Sequence, residues 1–382
     1  MLQNKYYHII FGILLFLASC GEGKKSSNLS TLHPVSGFTY AERISMVEHP
    51  EGWYEARILN PWDTTRLLQT IVMIPKEVSE FPNNLPQDAT IVRIPLEKSL
   101  VQSTVHIGLI EELGGVESIK GVADVNFIKS KEIKRRLEEG SVFDCGQWLN
   151  PDLEKILQLQ PDAIFVSPYQ EGGNYGRITE LGFPIIYVAD YMEMEPLGRA
   201  EWIKYYGILF GKAKEADSIF SDVEKKYNHY KQSAIEATQG NRKKKVLFDN
   251  PHGESWYVPS SGSYNDNFIR DAGGINPFGY GSLNQFSALN AEKVFAEAHD
   301  ADIWIIRWNT PFPLSKELLK KKLPIASRFK AFEDNNVWGC NTNESTYYEE
   351  TPFHPEKVIE DLYHILHTPN PGDSLNFFNR LQ

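Results

Sequence analysis

Cysteine is scarce, with three residues in 382, so a disulfide-stapled scaffold is excluded. Basic charge is also in deficit. Lys and Arg number 39 against 50 Asp and Glu, a formal net charge of −11. The one basic run, Arg242 to Lys245, reads as a solvated turn before a strand. A nucleic-acid partner would require a basic stripe, and the chain has none. Beyond the first twenty residues no apolar stretch is long enough to cross a bilayer. The chain also lacks a Gly-rich phosphate loop with Lys, a nucleophile elbow and a paired-His zinc motif on a helix. His106, His252, His299 and His354 are scattered at no ligand spacing. These absences remove the common enzyme classes and any cofactor they would need. What is present, 41% apolar and 23% charged residues over 382 positions, suits a globular protein with room for two domains.

The first residues are set apart. Lys5 gives a positive start, Ile9 to Leu17 is a short apolar run, and it ends in Leu17-Ala18-Ser19-Cys20. This resembles the lipobox of bacterial lipoproteins, which implies removal of residues 1–19 and acylation of Cys20. Acyl chains there would hold the protein at a membrane. Residues 20–37 are small and polar and read as a tether. Cys145 and Cys340 remain; sequence leaves open whether they pair, and two isolated small hydrophobes is the preferred reading.

From residue 38 onward the grammar is α/β. Arg57–Leu59 and Thr70–Ile74 suggest a strand pair, and Thr90–Ile94 a further strand. Thr104–Leu113 reads as a helix ended by Gly114-Gly115. Asn150–Leu159 reads as a helix with Pro151 in its first turn, before the continuous apolar strand Ala163–Ser167. Apolar residues at helical spacing from Leu197 to Tyr230 predict one long helix, weakened by Gly207 and Gly211. Strand and helix then alternate again: Lys245–Asp249, Asn265–Asp271, Ala291–Ala298, Asp302–Ile306 and a last helix over Pro355–Leu366.

The two halves echo each other. Leu109–Gly115 ends a helix in paired glycines, and so does Phe268–Gly274. Leu153-Glu154-Lys155-Ile156 precedes an acid-flanked buried strand, and so does Ala291-Glu292-Lys293-Val294. The order is the same on each side of the predicted long helix. This implies two similar parallel-sheet lobes with a cleft between them: residues 38–195, a linking helix over 196–237, and residues 238–382. Ligands of open α/β sheets lie beyond the carboxyl ends of the strands. The residues there are rich in Trp, Tyr and Arg. Trp148, Tyr169, Trp256, Tyr257, Tyr264, Arg307, Trp308 and Tyr347 are the candidate ligand-binding set, suited to a broad, partly apolar ligand with an anionic group. Any one of these aromatics could instead be core.

A lipobox, two lobes on one long helix, the Leu153–Ile156 and Pro161–Val166 block, Ile119-Lys120-Gly121-Val122, Glu195–Trp202 and Asp271–Gly274 together resemble the helical-backbone class of solute-binding proteins. These serve ABC importers of ferric siderophores, haem and cobalamin. The resemblance spans residues 88–366 and implies a monomeric, non-enzymatic binding lipoprotein facing the periplasm. It would carry a metal chelate or corrinoid to a dimeric permease. It further implies one docking Glu on each lobe: Glu292 matches in the second lobe, and Glu171 is the nearest counterpart in the first. Two alternatives stay open at this point. One is an enzyme on the same scaffold with a metal held through His106, and the other is a direct binder of metal ions.

Overall fold

The computed structural model describes residues 38–79, 81–168, 176–279, 286–369, 371 and 375–382. Cys20, Tyr169 and Glu171 lie outside the described residues.

The first sheet has the order β1-β2-β3-β4, formed by β1 (Ile44–Glu48), β2 (Tyr54–Leu59), β3 (Leu67–Pro75) and β4 (Thr90–Ile94). The expected strand pair is β2 with β3, antiparallel, whereas β4 joins β3 in parallel. The first lobe follows. Its elements are β5 (Ser99–Val101), α1 (Thr104–Glu112), β6 (Ile119–Val122), α2 (Lys131–Glu138) and β7 (Phe143–Asp144). Next come the small hairpin β8 (Gly146–Gln147) with β9 (Asn150–Pro151), α3 (Leu153–Leu159), β10 (Ala163–Val166) and β11 (Ile185–Tyr187). The lobe sheet has the order β11-β10-β5-β6-β7 and is parallel throughout. Residues 150 and 151 are thus strand rather than helix. The helix begins at Leu153 because Asp152 caps it, accepting from the Lys155 N–H at 3.1 Å.

The predicted single helix from Leu197 to Tyr230 is three helices: α4 (Pro196–Glu201), α5 (Ile203–Leu209) and α6 (Ala213–Thr238). Gly211 is the cause of the second break. It sits at φ +65°, a left-handed conformation that ends a helix. Gly207 serves a different purpose: a Cβ there would lie 2.6 Å from the Ala216 Cβ, so α5 and α6 pack closely at that point. With 26 residues, α6 spans about 39 Å and remains the main link.

The second lobe contains β12 (Val246–Phe248), β13 (Trp256–Pro259), α7 (Tyr264–Asp271), β14 (Phe286–Leu289), α8 (Ala291–Ala298) and β15 (Ile303–Trp308). It continues with α9 (Lys316–Lys322), α10 (Lys330–Glu333), β16 (Val337–Asn341), α11 (Tyr347–Glu350), α12 (Pro355–His367) and β17 (Asn379–Arg380). Its sheet runs β12-β15-β16-β17, with only β17 antiparallel. The protein is therefore the expected α/β fold of two parallel-sheet lobes joined by a long helix.

The sequence echo has a geometric counterpart. Gly115 N–H reaches Ile110 O and Gly274 N–H reaches Ile269 O, both at 2.8 Å, with Gly114 and Gly273 left-handed. Asn290 caps α8 through the Lys293 N–H at 2.8 Å, as Asp152 caps α3. Asp162, before β10, accepts from the Glu97 and Lys98 N–H groups that lead into β5. Asp302, before β15, accepts likewise from Lys245 leading into β12. In each lobe an acid at the start of the second strand ties down the start of the first.

One apolar core runs from the first sheet through α1, α5 and α6 to α7 and α12, so both lobes share it. Cys145 and Cys340 are both free and buried.

Candidate ligand cleft

Strands β5, β10 and β11 end at one side of the first lobe, which fixes the floor of the cleft. Ser103, Val105, His106, Ser167, Pro168, Asp190, Tyr191 and Arg199 line a pocket of about 380 Å³ there. His106 lies in the first turn of α1 and is buried, and its Nε2 lies 3.0 Å from Asp190 Oδ1. Asp190 Oδ2 accepts from Arg199 Nε at 3.1 Å. Burial alone would push the Asp190 carboxyl up, but His106 and Arg199 beside it outweigh burial and hold it below the usual carboxylate range. Arg199 projects from α4, the first linking helix, and its guanidinium lies 5.5 Å from the ring centre of Tyr264 at the start of α7. The chain His106–Asp190–Arg199–Tyr264 therefore crosses from one lobe to the other, and the Tyr264 hydroxyl continues it to Thr351 O at 3.3 Å. Burial pushes the Tyr264 and Tyr191 hydroxyls up to about 12, so both stay protonated donors at neutral pH.

The strand ends of the second lobe supply a matching group. Arg307, at the end of β15, forms a two-point ion pair with Asp249: Nε to Oδ1 at 2.9 Å and Nη2 to Oδ2 at 2.5 Å. Its guanidinium stacks 4.8 Å from the Phe248 ring and 5.6 Å from Tyr347. Burial opposes its charge, yet the Asp249 carboxylate more than restores it and the side chain stays cationic.

The candidate ligand set is thus divided. Tyr264, Arg307 and Tyr347 come together where the lobes meet, although Tyr347 is itself only 2% exposed. Trp256 is a correction: it is completely buried, stacked on Trp304 at 5.7 Å with its indole donating to Phe248 O. The alternation of β13 turns Trp256 inward and its neighbour Tyr257 outward, where Tyr257 is 47% exposed. Trp308 is half-buried against the second-lobe core, and Trp148 packs half-buried on the first-lobe cluster around Ile156 and Ile164. Glu292 is exposed in the first turn of α8. The sequence reading missed Asp190 and Arg199; Arg199 stood within the Glu195–Trp202 motif, and Asp190 follows strand β11. Among the described residues, no group of three or more His, Cys, Asp and Glu side chains is placed to hold a metal ion.

The lobes are also clasped to one side of the cleft. Lys129 of the first lobe donates to Thr342 O and Ser345 O and lies 3.6 Å from Glu349. His354, just before α12, bridges Glu112 of α1 at 2.8 Å and Glu356 at 2.9 Å. Burial would lower the His354 pKa, but those two carboxylates raise it from 6.5 to about 9. A raised folded-state value means that the clasp stabilises fully below pH 6.5 and fades as pH climbs through 9. Glu112 is a third exposed, so solvent screening reduces the contribution to roughly 2 kcal/mol. Denaturation midpoints should therefore fall between pH 6.5 and 9 in the wild type, and a Glu112→Gln variant should lose most of that slope. An identical slope in both would exclude the clasp as its source.

Two similar lobes, a long helical link and a pocket at the strand ends fit a ligand-capture protein. The comparisons agree. The chain belongs to the periplasmic binding protein family, whose profile matches residues 103–343, well over half of its length. An uncharacterised lipoprotein of Methanocaldococcus jannaschii is 27% identical, covering 90% of this chain and 86% of its own. A periplasmic haem-binding protein from Pseudomonas aeruginosa shares the fold, with a TM-score of 0.56 and 14% identity over 75% of this chain and 98% of its own. So does a protein of an Fe3+-hydroxamate transport system from Saccharomonospora viridis, with a TM-score of 0.53 and 16% identity over 71% of this chain and 93% of its own. The fold is that of the helical-backbone solute-binding proteins of ABC importers, which are transport proteins and not enzymes.

Proposed function

We propose that this protein captures an iron chelate, haem or a corrinoid and hands it to an ABC permease while anchored by an acylated Cys20. The observation that carries the ligand class is the pairing of two arginines with aromatic faces: Arg199 of the linking helix on Tyr264 of the second lobe, and Arg307 on Tyr347 within the second lobe. Guanidinium groups held this way recognise carboxylate or other anionic substituents, while the aromatic rings receive a flat or apolar body. The relatives named for haem and for Fe3+-hydroxamate transport support the same class. Tyr257, Trp308 and Trp148, with Tyr169, which follows β10 in sequence, complete the proposed ligand set. Glu292 and, in the first lobe, Glu171 are the proposed permease contacts. The protein acts as a monomer, and its lobes move little on binding because they share a core through α5 and α6.

Tryptophan-fluorescence titration of the mature protein against haem, cobalamin and several ferric siderophores tests this. One of them should give a saturable response that an Arg199→Gln variant weakens at least tenfold. Silence toward all of them in the wild type would refute the chelate assignment.

A further inference from the structure

The basic run Arg242–Lys245, read in sequence as a solvated turn, does not stand alone in the fold. Strands β12, β15 and β16 are parallel neighbours, so their amino ends share one end of the second lobe. Arg242–Lys245 leads into β12, Asp302 precedes β15 and α10 precedes β16. Asp302 joins the three: it accepts from Arg242 Nη2 at 2.7 Å, Lys330 Nζ at 2.6 Å and the Lys245 N–H at 2.9 Å. Helix α9 is held at the same end. Lys316 at its start donates its N–H to Gln382 O and its Nζ to Asn335 Oδ1, just before β16. Its last turn is Lys320-Lys321-Lys322, and the turn that follows carries Arg328, stacked 4.8 Å from the ring of Phe295 in α8.

Arg242, Lys243, Lys320–Lys322, Arg328 and Lys330 are all exposed there, against exposed Asp300, Glu317, Glu333 and Asp334. Seven cations over four acids leave a net +3 at this end of a chain whose formal charge is −11. Lys243, the three lysines that end α9 and Arg328 pair with no carboxylate among the described residues. One cation in the last turn serves the dipole of a helix this short, whereas three in succession add like charges that repel. The fold itself does not demand them. At the corresponding end of the first lobe Glu97, Glu117, Glu138 and Glu139 are exposed against Lys98.

From this juxtaposition we infer that the amino end of the second lobe is a binding face for an anionic lipid bilayer. The inference rests on the anchored reading above, because an acylated Cys20 keeps a bilayer at high local concentration, where a modest patch suffices. Each Lys or Arg at such a surface strengthens partition about fivefold, an effect screened beyond about 10 Å. A dissolved polyanion lacks that advantage and meets the net negative charge of the rest of the chain. With this face on the bilayer, the acidic end of the first lobe is held off the lipid. The carboxyl ends of β12, β15 and β16, with Arg307, then point away from the membrane, and the second-lobe side of the cleft is turned toward incoming ligand.

Energy transfer on vesicles tests the face. The full acylated chain is reconstituted on vesicles of phosphatidylcholine alone or mixed equally with phosphatidylglycerol, each holding a headgroup-labelled acceptor lipid. A donor dye is attached at Ala296→Cys, exposed in the last turn of α8, or at Asn343→Cys, exposed beyond the carboxyl end of β16. Cys145 and Cys340 are buried and stay unlabelled. On the mixed vesicles, transfer from position 296 should exceed that from position 343 by about twofold or more, and the excess should vanish in molar salt and in a Lys320→Glu, Lys321→Glu, Lys322→Glu variant. On phosphatidylcholine alone the two positions should transfer equally. Equal transfer on the mixed vesicles, an excess from position 343, or an excess that survives the triple variant overturns the face. Binding of single-stranded DNA through these lysines, with no response to phosphatidylglycerol, overturns it as well. A chain that fails to float with phosphatidylcholine vesicles lacks the anchor, which overturns the lipoprotein reading instead. The face is then read from flotation with the mixed vesicles, which the triple variant should abolish and whose absence in the wild type overturns the face too.

Discussion

An Asp249→Asn variant should lose about 3–4 kcal/mol of folding stability, because it strips the partner from a buried guanidinium. Arg307 is 9% exposed and Asp249 17%, and the two are joined at two points, 2.9 and 2.5 Å apart. Asn can still accept from Nε, but its amide then points a donor at a donor, and the charge on Arg307 is left against Phe248 and Tyr347 without an anion nearby. The choice of Asn separates charge from backbone. Asp249 sits at φ +62°, where Asn is among the residues best tolerated, so little strain is added. Asp249→Ala would mix the two effects. Urea denaturation gives the loss directly. A second variant, Asp249→Asn with Arg307→Met, should recover much of it, since a flexible apolar chain can lie on the same two rings. A single variant within about 1 kcal/mol of the wild type would show that the pair is solvated and contributes as a surface pair does.

Arg307 also shows where sequence reading succeeds and where it stops. Its place at the end of an apolar strand was legible, because a continuous hydrophobic run followed by a polar residue marks the edge of a buried parallel sheet. The lobes were legible for a related reason. Paired glycines after α1 and α7, and acids before β10 and β15, are local devices whose job can be read from a few neighbouring residues. The pairing of Arg307 with Asp249 joins residues 58 apart in sequence, and that of His106 with Asp190 joins residues 84 apart. Neither separation leaves a local signature. Trp256 and Tyr257 were indistinguishable in sequence because their facing depends on how β13 is paired with β14, and a shift of one residue would exchange them. The broken link is intermediate: Gly207 and Gly211 both weaken a helix on paper, and only packing decided that one would be a close contact and the other a stop.

A long-range feature at residues 39–43 leads to the second large effect. Glu201, on α4, is completely buried. Its carboxylate accepts from the backbone N–H groups of Thr39 at 2.8 Å, Tyr40 at 2.7 Å and Ala41 at 3.0 Å, and Lys204 pairs with it at 2.9 Å. Glu193 does the same for Glu42 and Arg43 at 3.1 and 2.8 Å, and also takes the Trp202 indole N–H. Gly198 makes room, since a Cβ there would stand 2.7 Å from Tyr40 O. Residues 39–43 are therefore sewn onto α4, the same helix that carries Arg199 to the cleft. A Glu201→Ala variant deprives three N–H groups and a lysine of their acceptor, and charge-assisted bonds of this kind contribute about 1.5–3 kcal/mol each when buried. The segment can relieve the deficit by peeling into water, so the net loss should be near 3 kcal/mol and local. Amide exchange at residues 39–41 should accelerate about a hundredfold. Glu201→Gln, which keeps the shape and one acceptor oxygen, should show a smaller acceleration. Because Arg199 shares the helix, the Ala variant should also loosen the Arg199–Asp190 contact and weaken ligand capture, coupling residues 39–41 to the cleft. Exchange at residues 39–41 that is the same in Glu201→Ala as in the wild type would mean that the carboxylate is not what holds the segment, and the coupling would fall with it.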